Sequence, residues 1–191
     1  MNNCYLDAEA VITFFRMTGR KHIFITGSRG SGKSHLVNNM LKHMSDSFNL
    51  LQSHRTDTPQ VVIKSNLVAD NKEFVIGVPR TSGINPASKG NNMTIIEDGF
   101  INCAIPAIDT HLDTTPERLF VIDELGYLES SCIPFQKAVE KLLDNSHVLA
   151  VIRKQSTEFL NRICNRKDVL VIDIDNTFET LSCIIMASGM S

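Results

Sequence analysis

One glycine-rich stretch, Gly27-Ser28-Arg29-Gly30-Ser31-Gly32-Lys33-Ser34, constrains this chain more than any other. It fits G-x-x-x-x-G-K-[ST], the pattern of a phosphate-binding loop. Its flanks supply the setting that the pattern needs. Lys21-His22-Ile23-Phe24-Ile25-Thr26 is apolar and β-branched and reads as a buried strand. Leu36, Val37, Met40, Leu41 and Met44 follow at helical spacing. Glycines allow the backbone to curl until several N–H groups point inward at phosphate oxygens, and the next helix adds its positive end. Residues 27–34 are therefore the expected nucleotide-binding element. Lys33 is expected to reach the β- and γ-phosphates of a nucleoside triphosphate, and Ser34 to ligate Mg²⁺.

The remainder alternates in the same way. Residues 7–17 read as an accessory helix packed on the outside, closed by Gly19. Beyond the phosphate loop, Leu119–Ile122, His147–Ile152 and Val169–Ile174 are short apolar strands. Between them lie amphipathic helices opening near Pro134 and, capped by Ser156, near Phe159. Asn176 and Glu179 resemble a capping box for a last helix. Such alternation predicts an α/β fold, a mostly parallel sheet with helices on both faces. Residues 51–113 break the pattern and read as an inserted antiparallel β-hairpin excursion. Its strands are expected at Gln60–Lys64, Glu73–Val78, Met93–Ile96 and Phe100–Ala104, the last pair joined at Asp98-Gly99. Within it, residues 81–92 have a flexible loop's composition and suit either a lid or a plain connector.

With 191 residues, 42% of them hydrophobic, one domain spanning 1–191 is expected. Nineteen basic against 21 acidic residues leave a net charge of -2, which gives no indication of nucleic acid as partner. No apolar run is long enough to span a bilayer. The start, Met1-Asn2-Asn3-Cys4, lacks the basic and apolar segments of a secretory signal. Five scattered cysteines, without a C-x-x-C pair, fit free thiols in the cytoplasm. The six histidines show no zinc-ligand spacing.

A phosphate loop that works with Mg²⁺ needs a second carboxylate at the carboxyl end of a neighbouring strand. Asp123 follows four apolar residues and fits that place. Glu124 comes directly after it and is the candidate base, able to orient and deprotonate a water behind the γ-phosphate. Charge developing on that phosphate also needs a cation. Arg153, ending the His147–Ile152 strand, is the first candidate, and Arg80, opening the flexible loop, the second. Arg29 holds a variable position of the phosphate loop and reads as exposed. Asn165-Arg166-Lys167-Asp168 is similar in composition to the guanine-reading N-K-x-D motif, but it precedes a strand and reads as a helix-ending turn.

These pieces together resemble the small P-loop nucleoside-triphosphatases of thermophilic type, the family that includes cancer-related nucleoside-triphosphatase. Residues 22–34 resemble its opening strand and loop. Val121-Ile122-Asp123-Glu124-Leu125-Gly126-Tyr127-Leu128-Glu129 resembles its I-D-E-I-G-x-x-E signature, and residues 165–169 its C-terminal pattern. The resemblance implies a RecA-like P-loop core and slow, Mg²⁺-dependent hydrolysis of nucleoside triphosphates to diphosphates with broad base tolerance. It carries Gly126 and Glu129 over as signature positions, Glu129 as a loop-organising acid. The residues alone leave two other readings open: a nucleoside or nucleotide kinase, and a nucleotide-operated switch for a protein partner. Glu124 favours transfer to water over transfer to an acceptor.

Overall fold

The computed structural model describes residues 7–44, 47–80 and 93–176. Eight strands form one sheet in the order β5-β4-β3-β2-β6-β7-β1-β8. The strands are β1 (His22–Gly27), β2 (Phe48–Arg55), β3 (Val61–Ser65), β4 (Phe74–Pro79), β5 (Met93–Ile95), β6 (Leu119–Leu125), β7 (His147–Arg153) and β8 (Val169–Asp173). Strands β2, β6, β7, β1 and β8 run parallel, and β3 to β5 extend the sheet antiparallel from β2. The expected α/β, RecA-like arrangement with an antiparallel extension is the one observed.

The parallel strands β1, β6, β7 and β8 are largely apolar on both faces and send alternate side chains to two cores. Ile23, Ile25, Val121, Leu149, Val151 and Ile172 meet α1 (Ala8–Met17) and α2 (Lys33–Met44). Phe24, Phe120, Ile122, Val148, Ala150 and Ile152 face the opposite layer, where α5 (Ile133–Asn145) and α6 (Glu158–Cys164) pack. Asp7 caps α1 through the Ala10 N–H at 3.2 Å, and Val11 and Ile12 hold the helix on the core. Pro134 opens α5. The cap of α6 is Thr157, whose hydroxyl accepts the Leu160 N–H at 3.1 Å, and not Ser156. The last helix and the loop at 81–92 lie outside the described residues.

Two expectations for residues 51–113 fail. The excursion does not start at 51: β2 is an inner strand, parallel to β6 and antiparallel to β3. Its polar residues hide it from an apolar-run search, yet three of them have partners in the fold. Asn49 donates to His111 Nδ1 and Thr115 Oγ1, both at 2.8 Å, and Gln52 and Ser53 serve the β6 loop described below. Nor do Asp98 and Gly99 turn a hairpin. Residues 97–114 are helical throughout: α3 (Glu97–Gly99), a π-helical stretch (Phe100–Ala104) and α4 (Ile105–Thr114). Phe100, Cys103, Ala104, Ala107, Ile108 and His111 are buried at helical spacing, a pattern visible only when the window extends past Ala104. Gly99 is there for space, since a Cβ would sit 2.4 Å from the Val75 carbonyl oxygen.

His22 opens β1 fully buried, with no hydrogen-bond partner for either ring nitrogen among the described residues, 3.5 Å from an Asp168 carboxylate oxygen. Burial lowers its pKa from 6.5 to about 4, against the pull of Asp168. The unfolded chain then binds a proton that the folded chain rejects, so stability is complete above pH 6.5 and falls as pH drops towards 4. The expected loss is about 1–3 kcal/mol across that window. Thermal melts at stepped pH should show this slope, and His22→Phe should flatten it; an unchanged slope would place the titration elsewhere.

Candidate active site

Because five strands run parallel, their carboxyl ends share one edge, and the loops that leave it converge. β1 passes into the phosphate loop, where Gly30 and Gly32 hold φ of 76° and 92°. Those left-handed conformations cost an L-residue with a Cβ about 1–2 kcal/mol, hence glycine at both positions. The loop is braced from within. Ser31 Oγ donates to the Ser28 carbonyl at 2.7 Å, and Lys33, 9% exposed, donates to the Gly27 and Ser28 carbonyls at 2.9 and 2.8 Å. It is also braced from β8. Asp175 accepts the Ser28 N–H and hydroxyl, both at 2.7 Å, and Lys154 joins Asp175 and Asp173 at 3.1 and 2.8 Å. The Ser28 bonds, with Lys154, hold the Asp175 carboxyl below the ordinary range.

Asp123 and Glu124 stand at the end of β6, as expected. The side chains of Ser34 and Gln52, the latter its register partner on β2, lie close to Asp123 and favour its ionised form. Burial raises the Asp123 pKa, and the neighbouring Glu124 charge adds to the rise; Ser34, Gln52 and Lys33 oppose it. At Glu124 the pairing with β7 slips, Asp123 facing Val151 and Leu125 facing Ile152. The Glu124 carboxylate pairs with Arg153 Nε. Behind the pair lies Glu129, 5% exposed, whose Oε2 accepts the Gly126 N–H at 2.9 Å and whose Oε1 accepts the Ser53 hydroxyl at 3.3 Å. Burial pushes its carboxyl up in pKa, and the Gly126 bond is among the interactions that offset this.

A cavity of about 680 Å³ opens over this edge, lined by the phosphate loop, Glu124, Arg153, Lys154, Gln155, His35 and Arg55. Cations dominate its wall. Lys33, Arg153 and Lys154 are held by protein oxygens, while exposed Arg29 and Arg55 have no carboxylate partner among the described residues. Arg80, the second cation candidate, is not in the lining. Asn165-Arg166-Lys167-Asp168 ends α6 at the opposite edge, with Arg166 bridging Asp144 and Asp168, as a helix-ending turn should. Sequence reading missed Gln52, Ser53, Arg55, Lys154 and Asp175. The first three lie on the unrecognised β2; Lys154 and Asp175 follow strand ends, a position that signals proximity but no partner.

The donor set near Ser34 suits Mg²⁺. Hydroxyl, carboxylate and amide oxygens are hard ligands, and Mg²⁺ characteristically completes its shell with water and substrate phosphate. Among the described residues no three His, Cys, Asp or Glu are grouped to hold a metal unaided.

A family model described as NTPase matches residues 22–181. The chain is 26% identical over 155 residues to nucleoside-triphosphatase THEP1 of Thermotoga sp. (strain RQ2), covering 80% of this chain and 86% of that protein. The Thermotoga maritima protein of the same name is 23% identical over 154 residues, at the same coverage. The crystal structure of THEP1 from Aquifex aeolicus superposes with a TM-score of 0.64 at 16% identity, over 89% of this chain and 99% of that one. The solution structure of a human cancer-related nucleoside triphosphatase gives 0.59 at 18%, over 86% and 97%. Both solved structures share the fold.

Replacing Lys33 by Ala removes the buried ammonium from the loop. A charge-assisted hydrogen bond is worth about 1.5–3 kcal/mol, so affinity for a slowly hydrolysed triphosphate analogue should fall roughly ten- to hundredfold by calorimetry. Unchanged affinity would separate the loop from triphosphate binding.

Proposed function

The chain belongs to the NTPase family and is a hydrolase of that kind, and from this premise we propose that it cleaves the β–γ phosphoanhydride of nucleoside triphosphates, releasing diphosphate and phosphate, with Mg²⁺. The observation that carries the reading is the placing of Glu124 beside Arg153 at the wall of the cavity that the phosphate loop forms. In this reading the amides of residues 27–34 and the Lys33 ammonium receive the β- and γ-phosphates. Ser34 and Asp123 hold Mg²⁺, which supplies charge neutralisation across the phosphates when bound. Glu124 orients a water behind the γ-phosphorus and takes its proton as the new P–O bond forms. The bridging oxygen leaves with the diphosphate, and Arg153 meets the charge on the transferred group.

The family resemblance supports broad tolerance of the base and a slow rate. All described strands join one sheet, which supports a single domain across the chain. The free thiols of Cys103, Cys132 and Cys164 support a reducing, cytoplasmic setting. No described helix is long and apolar enough to cross a membrane.

Phosphate release from ATP, GTP, CTP and UTP with Mg²⁺ and no acceptor is the direct test. Wild type should turn over several of the four. Glu124→Gln should still bind nucleotide but lose turnover by about 10²–10⁴-fold, because an amide does not take the proton. Release that requires an added acceptor would instead establish a kinase.

A further inference from the structure

The Glu124–Arg153 pair rests on a seat whose shape is set by a missing side chain. A Cβ built on Gly126 would lie 2.8 Å from Arg153 Cδ, 3.3 Å from Cγ and 3.4 Å from Nε. The arginine stem therefore lies flat on the Gly126 backbone. The Gly126 φ is not in the left-handed region, so glycine is not required there by backbone conformation. The seat is fixed from below. Glu129, buried, accepts the Gly126 N–H, and Ser130 hydrogen-bonds the Gly126 carbonyl through its hydroxyl at 2.6 Å and its N–H at 3.0 Å. Glu129 is anchored in turn by Ser53 of β2, whose hydroxyl also lies 3.4 Å from the Glu124 carbonyl. Arg153 gives its Nε to Glu124, and its two terminal nitrogens have no hydrogen-bond partner among the described residues.

We propose that Gly126, clamped by Glu129, is a positioning residue: its bare backbone sets the height of Arg153 in the cavity, so that one edge of the guanidinium orients the Glu124 carboxylate and the terminal nitrogens point to the γ-phosphate. The inference rests on the hydrolase reading above and adds to it. A planar guanidinium presents donors along more than one edge in a rigid fork, so it can hold a carboxylate and a phosphate at once, which an ammonium does not do with fixed geometry. A methyl group at 126 would meet the stem of a flexible, partly exposed side chain, not backbone. The fold should survive and the arginine should lift away.

The test is a double-mutant cycle on phosphate release with Gly126→Ala, Arg153→Ala and the pair, each checked by thermal melting. Gly126→Ala should melt near wild type, bind nucleotide within about twofold and lose about tenfold in kcat, the usual consequence of displacing a positioned group by a fraction of an ångström. Arg153→Ala should lose at least as much. In the Arg153→Ala background, Gly126→Ala should cost nothing further, because the group that it displaces is gone. Gly126→Ala at wild-type kcat overturns the proposal, and so does a loss that multiplies with that of Arg153→Ala. Arg153→Ala at wild-type rate overturns it as well. Glu124→Gln keeps the two readings apart. If that variant is inactive while Gly126→Ala is fully active, the positioning role fails and the hydrolase reading stands. If Glu124→Gln turns over normally, the water-activating role of Glu124 fails first.

Discussion

Everything at this site depends on five strands ending along one edge. A parallel ladder puts every strand's carboxyl end on the same side, so β1 delivers the phosphate loop, β6 Glu124, and the end of β7 Arg153 and Lys154 to one cavity, with Asp123 of β6 and the Asp173 and Asp175 anchors, at and just after the end of β8, beside its lining. Such a sheet is stable only if both faces are covered, because most of its strands are apolar on both sides. The α1–α2 layer and the layer containing α5 and α6 satisfy that requirement, and the two cores they form lock the strand ends in register.

A triphosphate is densely negative, and in the proposed reading this cavity would meet it with backbone amides, Lys33 and several further cations. The protein keeps most of those cations in fixed places by pairing them with its own oxygens. Lys154 is held by two aspartates, one of which also fastens the Ser28 amide and hydroxyl. One short charge network thereby ties the phosphate loop to β8. Preorganised cations of this kind need little rearrangement when charge develops in the reaction, which is where electrostatic stabilisation draws its effect.

The acid side of the cavity is built in two tiers. Glu124 faces the cavity and carries the proposed chemistry. Glu129 is buried beneath it and works on the backbone, accepting from Gly126 and Ser53. A buried carboxylate is costly unless its oxygens are satisfied, and here each accepts a hydrogen bond. An acid three residues after Gly126 is thus placed to hold down the loop that carries Gly126.

How much could be read without coordinates follows from what each signal depends on. The phosphate loop, its strand and helix, the apolar strands β6, β7 and β8, and the Asp123-Glu124 pair were legible, because periodicity and glycine placement are local properties and a parallel strand is written as an apolar run. β2 was not legible. Asn49, Gln52 and Ser53 make it look like a loop, and only the sheet reveals that they are spent on His111, Asp123 and Glu129. Gly99 gave a turn signal that was false, since its small size serves a contact with the backbone of β4, distant in sequence. Likewise the family signature names Gly126 and Glu129, but that Gly126 makes room for Arg153 comes from the pairing of β6 with β7. The sequence by itself determined the ligand class and the elements that meet it, since both follow from short-range pattern. The tertiary structure alone decided which cation stands against Glu124 and what holds it there, because those partners are brought together by sheet order, and sheet order leaves no local mark on the chain.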